Sequence, residues 1–475
     1  MTALNHDQWL LENAEATERA IASAGWMKRK AIKVVVYGVN YSPEMAGAGR
    51  YTGEIAEEFA ARGAEVLLVT TPPHYPGWRV YDGFKNNRYA KETRNGVRVW
   101  RCPLVLRQRM GGVWRLLAPL TFALTSAPIA VWEMLRLRPD VVVCVEPTLF
   151  VAPISLLIAK AIGAQTVLHI QDLEVDAAFA VGHLAQYEWL KRIGEIFERR
   201  MLRRFDRIVT ISEAMAEKLV KKGLDRGRLA IIRNWVDLDK IYPLKRQSVY
   251  RAMFNLSADD FVVMYSGNLG AKQGLNVLLE AARRLARFDR IKVVIAGEGP
   301  AKPALIEKYG DLPHVRFLPF QPYDLLNEFL NLADLHVLPQ DPRAADLVLP
   351  SKLGGMLASG KPVIVTAEAG TELAVFLGDA ATMTPSEDSE ALAEAVCRHF
   401  EGKAVSRGGV ERRLALSRLL SKQDGLRAFC RLLGLDLAEG GAAGVEIMPV
   451  VAANTGRGER RGELGERRRG ETSAA

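Results

Sequence analysis

Three glycine- and lysine-bearing junctions in this 475-residue chain have the composition that suits a phosphate group. The first spans residues 349–365 and reads as a Pro-terminated loop, a short helix and a buried strand, with Ser351 as N-cap and Gly360 as a left-handed C-terminal residue. Lys352 falls in the first turn of that helix, where unpaired N–H groups and a cation together favour an anion. The second, Ser266-Gly267-Asn268-Leu-Gly-Ala-Lys272-Gln-Gly, follows a Val-rich strand, and the third is Gly297-Glu298-Gly299-Pro300. Each alone reads equally as a tight loop, but three of them at carboxyl ends of strands in one sheet make a coherent anion cradle. A fourth turn, Gly38 to Arg50, holds Gly47 and Gly49, which let a backbone approach a ligand closely. It is not a dinucleotide fingerprint, because position 52 is Thr and the next strand ends Val69-Thr-Thr-Pro with no carboxylate. His169 ends another strand and is followed by Asp172, Glu174 and Asp176; a strand-end imidazole can bond a sugar hydroxyl, or be satisfied by its own loop. No DxD pair stands at a strand end, so no catalytic metal or other cofactor is expected.

The elements that must carry these groups alternate strand and helix. Strands are expected near 32–37, 65–70, 97–101, 140–145, 165–169, 207–211 and 229–232, then near 261–266, 291–296, 315–318, 335–338 and 362–366. Helices fall between them, near 49–62, 116–135, 150–162, 186–204 and 213–222, and then near 274–287, 301–309, 322–332, 352–359 and 387–400. That alternation implies doubly wound parallel sheets with right-handed crossovers. A chain this long exceeds the roughly 250–300 residues that one core serves, so two Rossmann-like domains are expected, 27–235 and 236–435, with a cleft between them. The last helices are free to pack back on the first domain. Residues 1–26 read as an N-terminal extension, with Met27 an alternative start, and 436–475 as a disordered basic tail.

Four cysteines lie far apart without a CxxC pair, which suits a reducing cytosol rather than a disulfide framework or zinc site. The formal charge of +9 is uneven. From Arg79 to Arg115 ten Lys/Arg face only Asp82 and Glu92, with Trp and Tyr interleaved, and Leu116–Trp132 carries no charge at all. A spanning helix needs about 20 apolar residues, and this run holds Pro119 and Pro128, so it reads as a buried or interfacial helix. Residues 79–132 therefore read as contact with an anionic membrane, with a solvated or acceptor-binding surface as the alternative. No nucleic-acid module is recognisable.

Taken in order, Tyr41-Ser-Pro-Glu, Arg50-Tyr-Thr-Gly-Glu, Pro72-Pro-His-Tyr-Pro, His169-Ile-Gln-Asp, Asn234-Trp-Val-Asp, Tyr265-Ser-Gly-Asn and Pro350-Ser-Lys-Leu resemble the retaining glycosyltransferases of family 4. The closer likeness is to their colanic-acid and exopolysaccharide branch, over about residues 30–430. The resemblance implies a GT-B fold of two facing Rossmann-like domains. It also implies transfer of a sugar, with retention, from a nucleotide-sugar to a lipid-linked or saccharide acceptor at the cytoplasmic face of the plasma membrane. His169 and Asp172 are then the expected catalytic residues. Gly47, Gly49, Gly267, Asn268, Lys272, Gly297, Glu298, Gly299, Ser351, Lys352 and Glu372 are expected around the donor. Four positions depart from the family pattern: its acidic pair falls at Leu347 and Gly355, beside Asp346; its Arg falls at Asn268; and its Lys falls at Gln273, with Lys272 one place earlier. A non-catalytic scaffold of a polysaccharide assembly, or a sugar-nucleotide epimerase on the same fold, are the alternative functions.

Overall fold

Val34, Val35, Val36 and Tyr37 lie at the centre of the first sheet and are almost wholly buried, as an apolar strand flanked on both sides must be. The computed structural model describes residues 32–44, 47–107, 113–173, 188–270, 273–342, 349–404 and 409–435. The expected N-terminal extension, the basic tail, Lys272, Asp346 and Leu347 lie outside them.

The first sheet is built from β1 (Lys33–Tyr37), β2 (Glu65–Thr70), β3 (Ala90–Arg94), β4 (Val97–Arg101), β5 (Val141–Glu146), β6 (Gln165–Ile170), β7 (Arg207–Thr210) and β8 (Leu229–Ile231). Its order is β3-β4-β2-β1-β5-β6-β7-β8. All neighbours are parallel except β3 and β4, which form an antiparallel hairpin at the edge. The hairpin strand β3 is absent from the sequence expectation because Ala90-Lys-Glu-Thr-Arg has no apolar face to read. The helices of this half are α1 (Ala48–Ala61), α2 (Val113–Leu137), α3 (Ala152–Ile162), α4 (Glu188–Leu202) and α5 (Glu213–Lys221). Side chains of α2 to α5 cover one face of the sheet, and Tyr51, Ile55 and Phe59 of α1 cover the other.

The second sheet holds β9 (Phe261–Ser266), β10 (Ile291–Ala296), β11 (Val315–Leu318), β12 (Leu335–Leu338), β13 (Val363–Thr366) and β14 (Thr382–Thr384), in the order β11-β10-β9-β12-β13-β14, all parallel. Its helices are α6 (Leu275–Leu285), α7 (Lys302–Tyr309), α8 (Leu326–Leu330), α9 (Lys352–Ala358), α10 (Glu372–Leu377), α11 (Ser389–Phe400), α12 (Gly409–Arg418) and α13 (Lys422–Leu432). The last of these leaves its own sheet. Leu426, Phe429, Cys430 and Leu432 of α13 join the core formed by β1, β5 and α1 of the first half. The chain bonds itself at the crossover, where Val236 N donates to Leu420 O at 2.8 Å.

The edge hairpin takes up part of the basic stretch, while Arg79, Lys85, Arg88 and Arg107 outside it are exposed. Arg101 is buried and donates to the carbonyls of Thr71 and Ser42 at 2.9 and 2.7 Å, and Arg98 pairs with Glu65. Residues 117–137 are long and apolar enough to cross a membrane by composition, yet Ala118, Phe122, Ala130, Met134 and Leu137 are packed on the sheet. The outer side of α2 exposes Leu124 and Trp132.

Three histidines are enclosed among the described residues, His74, His169 and His336, and two of them are strongly shifted. His169 on β6 and His336 on β12 both have pKa values lowered to about 3, mainly by burial, with Lys361 adding to the effect at His336. A histidine depressed in the folded state binds fewer protons than the unfolded chain between pH 3 and 6.5, so stability falls as pH falls through that window. From pH 7 to pH 5 each should cost about 2 kcal/mol. Urea denaturation should show that loss, and His336→Asn should reduce it by about half; an unchanged pH dependence would contradict the burial argument.

Candidate active site

The glycine loops expected to meet a phosphate interlock at the carboxyl edge of the second sheet. Leu269 N donates to Glu298 O at 2.9 Å, and Ala301 N donates to Leu269 O at 2.9 Å. A Cβ on Gly297 would stand 1.8 Å from Gly267 O, and one on Gly299 would stand 2.4 Å from Leu269 O, so only glycine permits the approach. Gln273 closes the first loop by accepting from Gly270 N at 3.0 Å, while Asn268 Oδ1 is buried without a partner. The Glu298 side chain turns away to Lys302 at 2.7 Å.

Lys352, at the start of α9, lies over this loop. Its Nζ donates to Tyr265 Oη at 2.6 Å and sits 4.4 Å from that ring's centroid, and Tyr265 Oη in turn donates to Asn268 O at 2.7 Å. Burial raises the phenol's pKa, so Tyr265 stays neutral, and burial pushes the Lys352 ammonium down to about 7. The cation thus faces a neutral phenol and a glycine loop, an arrangement that gains most from an anion. Gly267, Asn268, Gly297, Gly299 and Lys352 come together as expected from their strand-end positions.

Other expected residues are placed differently. Ser351 is helical in its own backbone and makes no side-chain cap; its hydroxyl instead meets Tyr51 of α1 across the domain seam. Gly49 leaves room for Glu44: a Cβ there would lie 2.6 Å from Glu44 Oε2. Glu44 is itself buried and accepts from the N–H groups of His74 and Tyr75 at 2.7 and 2.9 Å. Gly47, with φ +62, starts α1 beneath the Tyr75 ring, 3.0 Å from its would-be Cβ. Glu372 does not face the glycine loops. Its carboxylate accepts from Glu213 N and Ala214 N at the start of α5, at 3.0 and 2.8 Å, and pairs with Arg233. It ties the two halves through a helix N-terminus, where a carboxylate is favoured. A side chain at Gly355 would meet Leu330 Cδ1 at 3.1 Å.

His169 is almost fully buried, its ring 4.9 Å from that of Phe429 on α13 and edge-on to it. It contacts Gln171 rather than open cleft, and Gln171 and Asp172, half-buried, stand beyond the strand end. Sequence reasoning gave no role to Gln171, Asn234, Tyr51 or Tyr265. All four stand in the phrases that carry the family resemblance, but only packing reveals what they touch.

Two sheets of parallel strands meeting at a seam, with a phosphate cradle at one carboxyl edge, define the GT-B class of glycosyltransferase. A glycosyl transferase 4-like domain matches residues 46–235, and a glycosyl transferases group 1 domain matches residues 260–401. WcaI of Escherichia coli K12, provisionally assigned to colanic acid biosynthesis as a glycosyl transferase, is 38% identical over 409 residues, covering 84% of this chain and 98% of WcaI. The D-inositol 3-phosphate glycosyltransferase of Mycolicibacterium smegmatis is 29% identical over 50% of this chain and 54% of its own. Among solved structures, sucrose-phosphate synthase of Thermosynechococcus elongatus shares the fold with TM-score 0.63 at 17% identity, over 84% of this chain and 98% of that one. Anabaena Alr3699/HepE in complex with UDP-glucose shares it with TM-score 0.60 at 14% identity, over 85% and 99%. The chain belongs to the family 4 glycosyltransferases and is related to the colanic acid biosynthesis enzymes.

A lysine with a pKa of about 7 is mostly neutral at pH 8, and an adjacent diphosphate restores its charge. Calorimetric titration with UDP and GDP at pH 8, in buffers of different ionisation enthalpy, should show nearly one proton taken up by the nucleotide that binds. At pH 6 the uptake should vanish. Lys352→Met should abolish it and weaken binding about tenfold or more; uptake that persists in this variant would remove the assignment.

Proposed function

We propose that this glycosyltransferase moves a sugar from a nucleoside-diphosphate sugar to a lipid-linked saccharide during exopolysaccharide assembly, with retention at the anomeric carbon and without a metal ion. The observation that carries the donor reading is Lys352, a half-buried ammonium set between a neutral Tyr265 and the Gly267 loop. As the anomeric C–O bond breaks, negative charge collects on the departing diphosphate. Lys352 and the backbone N–H groups of the glycine loops oppose that charge, the kind of preorganised electrostatics that contributes most to catalysis. The acceptor hydroxyl attacks from the same face, and its proton passes to the leaving phosphate oxygen. The relationship to WcaI supports the polysaccharide setting.

The purified full chain, incubated with UDP-glucose, UDP-galactose, GDP-mannose and GDP-fucose and a polyprenyl diphosphate-linked sugar, should yield a glycosylated lipid with the donor's anomeric configuration. Conversion of the donor without an acceptor would indicate the epimerase instead. Absence of both transfer and nucleotide binding would leave only the scaffold.

The membrane side of this reading rests on the outer faces of α2, α3 and α4. Leu124, Trp132, Leu157, Trp189, Ile193 and Ile196 are more than half exposed there. Arg136, Lys160, Arg192, Arg199 and Arg200 are exposed on the same helices. Apolar side chains framed by cations suit an anionic lipid surface. The four free cysteines support a reducing compartment, the cytoplasmic side of such a membrane. In co-sedimentation the chain should bind vesicles containing phosphatidylglycerol and leave pure phosphatidylcholine largely unbound. The double change Trp132→Ser with Ile193→Ser should lower binding several-fold; equal binding to both lipids by both proteins would refute the contact.

A further inference from the structure

Gln171 and Asn234 face each other across the carboxyl edge of the first sheet and exchange two hydrogen bonds. Gln171 Nε2 donates to Asn234 Oδ1 at 3.1 Å, and Asn234 Nδ2 donates to Gln171 Oε1 at 3.0 Å. The second hydrogen of the Gln171 amide goes to His169 Nε2 at 2.9 Å. An amide NH2 can only donate, so that ring nitrogen accepts, and His169 is neutral with its proton on the buried, unpartnered Nδ1.

This accounting leaves a defined set of unused groups. Both Gln171 amide hydrogens are taken. Asn234 keeps one N–H, and each amide oxygen keeps one lone pair. One donor beside two acceptors matches two neighbouring hydroxyl groups, each of which both donates and accepts. Both side chains are only half-buried, so these groups are open to a ligand.

The position is equally specific. Arg233, next to Asn234, pairs with Glu372 of the second half at 3.3 Å. Trp235, on the other side, packs its ring 5.2 Å from Tyr51, whose hydroxyl meets Ser351 beside Lys352. The amide pair therefore sits at the domain seam, between the Glu372 contact and the Tyr51 cluster.

We infer that the Gln171–Asn234 pair binds neighbouring hydroxyls of the transferred sugar, and that His169 is a positioning residue that locks the orientation of the Gln171 amide. The inference rests on the nucleotide-sugar reading above. Burial behind Phe429 keeps His169 in the accepting form, and a protonated ring would set N–H against N–H.

Isothermal titration of the full chain with UDP, UDP-glucose, GDP and GDP-mannose separates the two readings. In the wild-type chain the sugar should add affinity over the matching nucleoside diphosphate. Asn234→Asp should weaken the preferred nucleotide-sugar about tenfold, the worth of one hydrogen bond, while the free nucleoside diphosphate stays within twofold and so reports an intact fold. His169→Phe should raise KM for the nucleotide-sugar with little change in kcat, and His169→Asn, which again offers an acceptor, should recover most of the loss. Equal effects on nucleotide and nucleotide-sugar, no effect on either, or no rescue by asparagine would overturn the inference. Binding of none of the four probes by the wild-type chain would instead remove the nucleotide-sugar reading on which it rests.

Discussion

Much of this molecule depends on the packing of one indole at the crossover between domains. Trp235 is buried, donates from Nε1 to Glu54 Oε2 at 2.6 Å, and meets Tyr51 and Phe429 edge to face. Helix α13 can reach it because residue 425 is glycine: a Cβ there would stand 2.5 Å from the indole ring. The same cluster orients Tyr51 toward Ser351 and presses Phe429 against His169. Aromatic contacts of this kind contribute roughly 0.5–1.5 kcal/mol each beyond the area they bury. Their larger effect here is geometric, since they set the two carboxyl edges in one register.

Burial disfavours the cation on both sides of the seam, with different results. At His169 it removes a charge, leaving an acceptor that holds an amide in place. At Lys352 it weakens a charge without pairing it, leaving a group that regains its proton when an anion arrives. Both effects come from desolvation, and both would be lost if the domains separated or α13 lifted away. Glu372, bonded to the start of α5, opposes that separation.

The departures from the family pattern take on physical meaning in this setting. Gln273, in place of a lysine, ties its own loop through Gly270 N. Gly355, in place of an acid, adjoins Leu330, and added bulk there would press on that side chain. Among the described residues two cations reach this edge: Lys352 lies over Gly267, and Lys302 donates to Gly297 O at 3.1 Å.

The strand and helix spans, their parallel order and the glycine turns were legible in the sequence, because buried parallel strands are written as Val-rich runs and close backbone approaches demand glycine. The polar edge strand β3 was not, since it has no apolar periodicity. For the site, Gly267, Gly297, Gly299 and Lys352 could be read from strand-end position alone. The roles of Glu372, Ser351, Gly49 and His169 could not. Glu372, Ser351 and His169 depend on partners far away in the chain, the start of α5, Tyr51 and Phe429, and Gly49 on how its own turn places the Glu44 side chain; local composition carries no record of these contacts. Sequence by itself determined which edges bear polar groups; only the packing of α13 and Trp235 decided which of those groups face a ligand and which face each other.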